Sequence, residues 1–159
     1  MRGLTEKETQ EAMAHILDNL PIEQELQRWK QEEENPALMR KLLDVVAQRA
    51  RDDGGLIVSV KSDEVMIGAE NIELFQADKK GDVNVVSSNG NYRFAMVFTS
   101  RERFKVCNDT SGFVVFIDEL FRFLISQPDI DGIMLNLKKE EAVFDKEMMK
   151  RVLSMMEQG

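Results

Sequence analysis

The fold is decided by the segment from Phe113 to Leu137, which reads FVVFIDELFRFLISQPDIDGIMLNL. An apolar run opens it at 113–117, an amphipathic stretch follows from Asp118 to Ser126, and a second apolar run covers 133–137. Continuous apolar runs are typical of strands that are covered on both faces, and aspartate is a common N-cap of helices. The segment therefore predicts strand, helix, strand, with the first run in the middle of one sheet.

Upstream of this segment, Asn89-Gly90 predicts a tight hairpin turn, because both central residues of a type I′ turn need positive φ. A two-residue loop would place Val85 opposite Phe94 and Val83 opposite Met96, on a common apolar face. Further short strands are predicted at 56–60, 65–67, 72–76 and 142–144. These strands extend the sheet around the central segment.

The helix signals flank the strands. Asn35-Pro36 begins one helix and Gly54-Gly55 is expected to stop it. The capping box from Thr99 to Glu102 begins a short one, and Asp145 caps a methionine-rich closing helix. The predicted fold class is α+β (mixed α/β), with a single central mixed sheet of about five to six strands flanked by helices.

Residues 1–34 are predicted to form a helical N-terminal extension, and residues 35–159 the α/β domain. Two narrow apolar stripes mark the extension, and short charged helices of this kind are rarely stable unless the stripe is buried. The stripes dock either on their own domain or on a second chain, and we favour a homodimer. The closing helix is expected to be mainly core, with part of it meeting a partner. The interface candidates are Ile16, Leu20, Leu26, Trp29, Met149 and Met156.

Composition excludes several classes of function. The formal net charge is −8, and no basic patch gathers its lysines and arginines, so a nucleic-acid partner is not expected. No apolar run reaches the roughly twenty residues that a membrane-spanning helix needs. A single cysteine and a polar N-terminus predict an intracellular, cytoplasmic protein. The protein partner itself is not identified by the sequence.

Catalytic and metal-binding patterns are weak. His15 is the one histidine and is predicted to be an exposed helix residue. Cys107 follows basic residues that favour a thiolate, but no base accompanies it, and a buried structural cysteine is the preferred interpretation. The acidic residues Asp129, Asp131 and Glu140 have the spacing of positions 1, 3 and 12 of a calcium loop, but Ile133 and Met134 occupy the fifth and sixth positions, where a ligand and the turn glycine are required. We therefore predict that the protein is not an enzyme and that it has no catalytic residue, no bound metal and no cofactor.

One cluster has anion-binding character. Thr99, Ser100, Arg101 and Arg103 surround a predicted helix N-terminus, where free backbone N–H groups and the helix dipole favour an anion. A capping box would use the same donors, and that structural interpretation is preferred. The cluster is nevertheless the best candidate for a small ligand.

The residues from Tyr92 to Glu102, from Phe113 to Leu120 and from Ile130 to Asn136 resemble the N-terminal domain of the bacterial enhanced-serine-sensitivity (SseB) family. The resemblance covers roughly residues 35–153. It implies a mixed α/β fold and a bacterial cytoplasmic setting, and it implies no established reaction. Asn136 belongs to its most specific part and joins the ligand-binding candidates.

The expected function is a non-catalytic cytoplasmic protein-interaction or regulatory module of the SseB-like type. The alternative is a protein or enzyme that binds an anionic metabolite or an amino acid at the turn from Thr99 to Arg103.

Overall fold

The computed structural model describes residues 13–60, 73–74, 83–88, 92–105, 111–138 and 141–158. Residues 13–16 are helical. The helices that follow are α1 (Leu20–Gln31), α2 (Pro36–Arg51), α3 (Arg101–Lys105), α4 (Ile117–Ile125) and α5 (Lys146–Gln158). The strands are β1 (Gly55–Val60), β2 (Glu73–Leu74), β3 (Val85–Ser88), β4 (Tyr92–Phe98), β5 (Ser111–Phe116), β6 (Gly132–Leu135) and β7 (Ala142–Asp145).

All seven strands of the described residues belong to one mixed sheet, so the predicted fold class is confirmed. Six of them follow one another across the sheet in the order β2-β5-β1-β4-β6-β7, and β3 pairs with β4 beside this path. β1 is antiparallel to both β4 and β5, whereas β4 and β6 are parallel. The carboxyl ends of β4 and β6 therefore lie together at one end of the sheet.

The segment from Phe113 to Leu137 forms strand, helix and strand as predicted, but it is not the centre of the sheet. β1 and β4 occupy the middle, and β5 is next to the two-residue strand β2. Val114 and Val115 are both fully buried, which agrees with a strand covered on both faces. Chain order did not reveal the position of β5, because strands distant in sequence come between β5 and β6.

Asp118 does not cap α4, contrary to the prediction. Phe116 precedes the helix without a side-chain cap, and Asp118 in the first turn instead pairs with Arg122 at 3.0 Å. The backbone N–H of Ile117 donates to the carbonyl of Gly54 at 3.0 Å. The strand runs directly into the helix with no capping side chain between them. The carbonyl of a neighbouring loop instead accepts a hydrogen bond from one of the free N–H groups at the start of the helix.

The pairing of β3 with β4 differs by one residue from the predicted register. Val85 lies opposite Ala95 and Val86 opposite Phe94, and the last pair joins Ser88 to Tyr92. The loop between these two residues therefore spans positions 89–91, one residue more than a two-residue turn allows. The Asn89-Gly90 turn itself lies outside the described residues, as do the strand predicted at 65–67 and most of the one at 72–76.

Two apolar cores cover the two faces of the sheet. On the first face α1, α2, α4 and α5 pack against alternate residues of the strands, including Leu56, Val97 and Ile133. On the second face the helical residues 13–16 and α3 cover Ile57, Phe98 and Val114. The alternation along each strand follows the two-residue period of β structure.

The N-terminal helices belong to these same cores. Ile22 and Leu26 are fully buried and Trp29 is 6% exposed within the first core, while Ile16 is buried in the second. The stripe of α1 therefore packs on its own chain and not on a second copy. The division at residue 34 is not reflected in the packing of the described residues.

Both ends of α2 are defined by local contacts. Asn35 caps the start as predicted, since its Oδ1 accepts from the backbone N–H of Ala37 at 2.9 Å. At the other end the left-handed residue is Asp53, with φ 60°. Gly54 and Gly55 instead allow close packing, because an added Cβ would lie 2.6 Å from the carbonyl oxygen of Arg49 and 2.5 Å from Ile16 Cγ2, respectively.

Candidate functional site

Thr99 and Asn136 follow the ends of the parallel strands β4 and β6, and they bind each other. The Thr99 N–H donates to Asn136 Oδ1 at 3.0 Å, and Asn136 Nδ2 donates to Thr99 Oγ1 at 3.1 Å. Thr99 is fully buried and Asn136 is 1% exposed. Asn136 has φ 56°, a conformation that asparagine tolerates better than most residues. The carboxyl ends of strands in open α/β sheets are common ligand-binding positions, so this pair defines the candidate site.

A carboxylate from α1 already lies at this site. Glu23 Oε2 accepts from Thr99 Oγ1 at 2.5 Å and lies 3.6 Å from Arg103 Nε. The Glu23 and Arg103 side chains are only 18% and 16% exposed, respectively, so the pair is largely shielded from water. The anion-binding character that the sequence indicated is therefore used by the protein's own glutamate.

Ser100, and not Thr99, caps α3. Ser100 Oγ accepts from the backbone N–H of Arg103 at 3.2 Å, and the Ser100 carbonyl accepts from the N–H of Phe104 at 3.0 Å. The N-cap is thus one residue later than predicted and the capping box is not formed, because the Thr99 N–H and hydroxyl donate to Asn136 and Glu23 instead. Arg101 is exposed on the surface of α3 and takes no part in these contacts.

A second buried polar group adjoins the first through Thr99. Asn19 Nδ2 donates to the carbonyl oxygens of Thr99 at 2.8 Å and Gly55 at 2.7 Å. Asn19 Oδ1 accepts from Arg49 Nε at 3.2 Å, and Arg49 Nη2 donates to the carbonyls of His15 and Ile16 at 2.7 and 3.0 Å. A cation at the C-terminal end of the helical residues 13–16 is favoured by the helix dipole.

Sequence reasoning missed Asn19, Glu23 and Arg49. Arg49 carried a signal, because a cation interrupts the apolar face that α2 shows at Leu42 and Val46. A charged residue on a buried face requires partners, and here they are backbone carbonyls and an asparagine. Asn19 and Glu23 lie in ordinary polar positions of the sequence, and only their long-range contacts distinguish them.

The arrangement joins α1, α2 and α3 to the carboxyl ends of β4 and β6 in one network rather than forming an open receptor. Donors of Thr99, Asn136 and Asn19 each have an acceptor from the same chain. Buried polar groups that are fully paired in this way fix a unique packing. The main chemical consequence of the site is a specific attachment of α1 to the carboxyl ends of β4 and β6.

The remaining candidates that the structure describes are not brought together in one group. His15 is exposed, as predicted, and its Nε2 lies 2.8 Å from the carbonyl oxygen of Asp52. Asp131 Oδ2 accepts from the Arg93 N–H at 2.8 Å and so extends the pairing of β4 with β6. Cys107 and Glu140 lie outside the described residues. Within the described ranges no group of three or more His, Cys, Asp and Glu side chains is placed to hold a metal ion.

The interface candidates are mostly core residues, which corrects the prediction. Ile16, Leu26, Trp29 and Met149 are buried in the chain itself. Met156 is half-buried against the first core. Leu20 is the first residue of α1 and is 57% exposed, so of the six candidates it is the one that remains on the surface. Arg51 at the end of α2 donates to the carbonyls of Met155 and Met156, which ties the end of α5 to α2.

Comparisons with protein-family models, with curated proteins and with solved structures gave no match for this chain. The resemblance to the SseB family therefore stays a prediction. In the part of the chain that the structure describes, none of the helices has the length and apolar character needed to span a membrane.

Proposed function

We propose that this protein is a non-catalytic interaction or regulatory module of the SseB-like type that acts in the cytoplasm. The observation that carries the proposal is the contact of Glu23 with Thr99 and Arg103. A receptor for a small anion would keep such donors free for its ligand, whereas here they bind a carboxylate of the same chain. A small anion would have to displace Glu23 from a 2.5 Å hydrogen bond before it could bind.

The surface of the described residues supports a role in protein contacts. Leu20, Tyr92 and Val143 are large apolar residues that are 57%, 54% and 37% exposed. Met148 and Met155 of α5 pack against the first core but are only half-buried, so part of each side chain is accessible. Methionine adapts to irregular contact surfaces, and exposed tyrosine is enriched in protein interfaces.

A ligand screen tests the non-catalytic part of the proposal. Thermal unfolding of the full-length protein is followed with amino acids, nucleotides and phosphorylated metabolites over a range of concentrations. A ligand at 100 times its dissociation constant would stabilise the folded state by about 2.7 kcal/mol, so true binding is readily detected. We expect no concentration-dependent shift. A shift that the Arg103→Ala variant loses would show that the turn is a receptor and would refute the proposal.

A second measurement tests the interaction part. The full-length protein is used as bait in cytoplasm of the source cell, and the captured proteins are identified by mass spectrometry. A protein held in a defined stoichiometry, and not held by an unrelated domain of equal charge, is the expected result. Recovery of the same proteins on both baits would contradict an interaction function.

A further inference from the structure

The outer edge of β7 has no strand partner among the residues that the structure describes. All four residues of β7 pair with β6 along the inner edge, from Ala142 opposite Leu135 to Asp145 opposite Gly132. β7 is the last strand of the sheet, and no described strand pairs with its other edge. An edge strand presents unpaired N–H and C=O groups, which are a template for one more strand.

The side chains of this edge alternate between core and solvent. Ala142 and Phe144 are buried in the first core. Glu141, Val143 and Asp145 are exposed and lie on the opposite face. Val143 also ends an apolar row that crosses three strands, because Met96 lies opposite Met134 and Met134 opposite Val143. The exposed pattern at the edge is therefore acidic, apolar, acidic.

This pattern of exposed side chains disfavours a second copy of the same chain as the strand that binds the outer edge of β7. An antiparallel pair of two β7 strands that is centred on Val143 would place Glu141 opposite Asp145 of the second copy, twice. Like charges directly opposite each other in adjacent strands are destabilising, whereas opposite charges stabilise. The complement of the edge is a strand with a basic, an apolar and a basic residue at alternate positions.

We propose that the outer edge of β7 binds an extended segment of a partner protein in which two basic residues flank an apolar residue at alternate positions. This inference rests on the proposed interaction function and specifies its surface. Main-chain hydrogen bonds add the segment to the sheet, and the side chains opposite Glu141, Val143 and Asp145 select it. The net charge of −8 attracts the same kind of segment at longer range.

The test uses the isotope-labelled full-length protein and two acetylated, amidated heptapeptides, TKTVTKT and TETVTET. NMR titration should show amide shifts in residues 142–145 with the lysine peptide, and at least threefold weaker binding of the glutamate peptide. The double variant Glu141→Gln, Asp145→Asn should lose roughly threefold to tenfold in affinity for the lysine peptide, because it loses two cross-strand charge pairs. Asparagine still caps α5, where Asp145 accepts from the N–H of Met148 at 2.9 Å.

Val143→Lys places a cation at the centre of the edge and should abolish the shifts. Gln27→Lys, which adds the same charge at an exposed position of α1, is the matched control and should bind as the wild type does. Equal affinity for the two peptides, shifts confined to other strands, or unchanged binding by Val143→Lys would each overturn the inference. So would a wild-type dimer in sedimentation velocity that Val143→Lys converts to a monomer, because the occupant would then be a second copy.

The failure of this inference can be separated from failure of the proposed function. A captured cytoplasmic protein that still binds the Val143→Lys variant would refute the edge of β7 as its site and leave the interaction function standing. A metabolite that binds at Arg103, with no protein captured, would refute the interaction function itself.

Discussion

Replacement of Asn19 is the most direct test of how the N-terminal residues are attached. Its side chain is 2% exposed and makes three hydrogen bonds, of which two go to carbonyls and one comes from the Arg49 guanidinium. Each neutral bond contributes about 1 kcal/mol, and a bond to a charged group about 1.5 to 3 kcal/mol. Asn19→Ala should therefore lower the free energy of unfolding by about 3 to 5 kcal/mol. That is a large part of a typical total of about 5 to 15 kcal/mol.

A double-mutant cycle isolates the contact between the two side chains. Arg49→Met keeps the apolar stem of the side chain and removes the guanidinium. If the Nε to Oδ1 bond at 3.2 Å carries the coupling, the double variant should be less destabilised than the sum of the single variants by about 1.5 to 3 kcal/mol. Gln48→Ala is the matched control, because Gln48 precedes Arg49 and is exposed, and it should change stability by less than about 0.5 kcal/mol.

The assay is urea unfolding followed by the fluorescence of Trp29. This residue is the one tryptophan of the chain and is 6% exposed in the first core, so its emission reports loss of packing. The slope of free energy against urea should stay constant across the variants. Loss of less than about 1 kcal/mol in Asn19→Ala, or additivity within about 0.5 kcal/mol in the cycle, would refute the buried network as a source of stability.

Three further variants test the fold. Glu33→Gly should raise the free energy of unfolding by about 0.5 to 1 kcal/mol, because Glu33 has φ 54°, a left-handed conformation that glycine adopts with less strain. A urea midpoint below that of the wild type would show that the left-handed residue is not strained. Gly132→Ala should cost about 1 to 3 kcal/mol and reduce amide protection in β7, since the added Cβ would lie 2.2 Å from the Phe144 carbonyl oxygen; wild-type protection would contradict this contact. Deletion of residues 1–34 removes buried Ile22, Leu26 and Trp29, together about 5 to 9 kcal/mol of apolar burial. The shortened chain should show no cooperative unfolding transition by circular dichroism. A folded monomer would instead show that residues 1–34 are a separate unit, as the sequence predicts.

Most elements could be predicted because their signals are local. The apolar run at 113–117, the Asn35 cap and the Asp145 cap depend on residues within a few positions of each other, and the structure contains the corresponding strand and helices. Local signals failed where a distant group supplied the partner. The helix begins at Ile117, whose N–H donates to the distant carbonyl of Gly54, so Asp118 lies inside the first turn, where it pairs with Arg122.

The candidate site shows the same limit. The sequence identified Thr99, Arg103 and Asn136, and the structure brings them together around a carboxylate. The sequence could not identify that carboxylate, because Glu23 is 76 residues away from Thr99 and lies on an ordinary charged helix. An anion site and an internal ion pair have the same residues at the helix N-terminus, and only the position of the partner separates them.

By itself the sequence determined which segments become helices and strands and which of their residues are apolar, because those properties follow from short-range periodicity and capping. Tertiary structure decided the order of the described strands, the burial of α1 in its own core and the position of β7 at the edge of the described sheet. These features depend on which faces meet across long stretches of chain, and a narrow stripe such as Ile22, Leu26 and Trp29 is equally suited to its own sheet and to a second copy. The choice is made by the specific contacts of Asn19, Glu23 and Arg49, whose partners are distant in sequence.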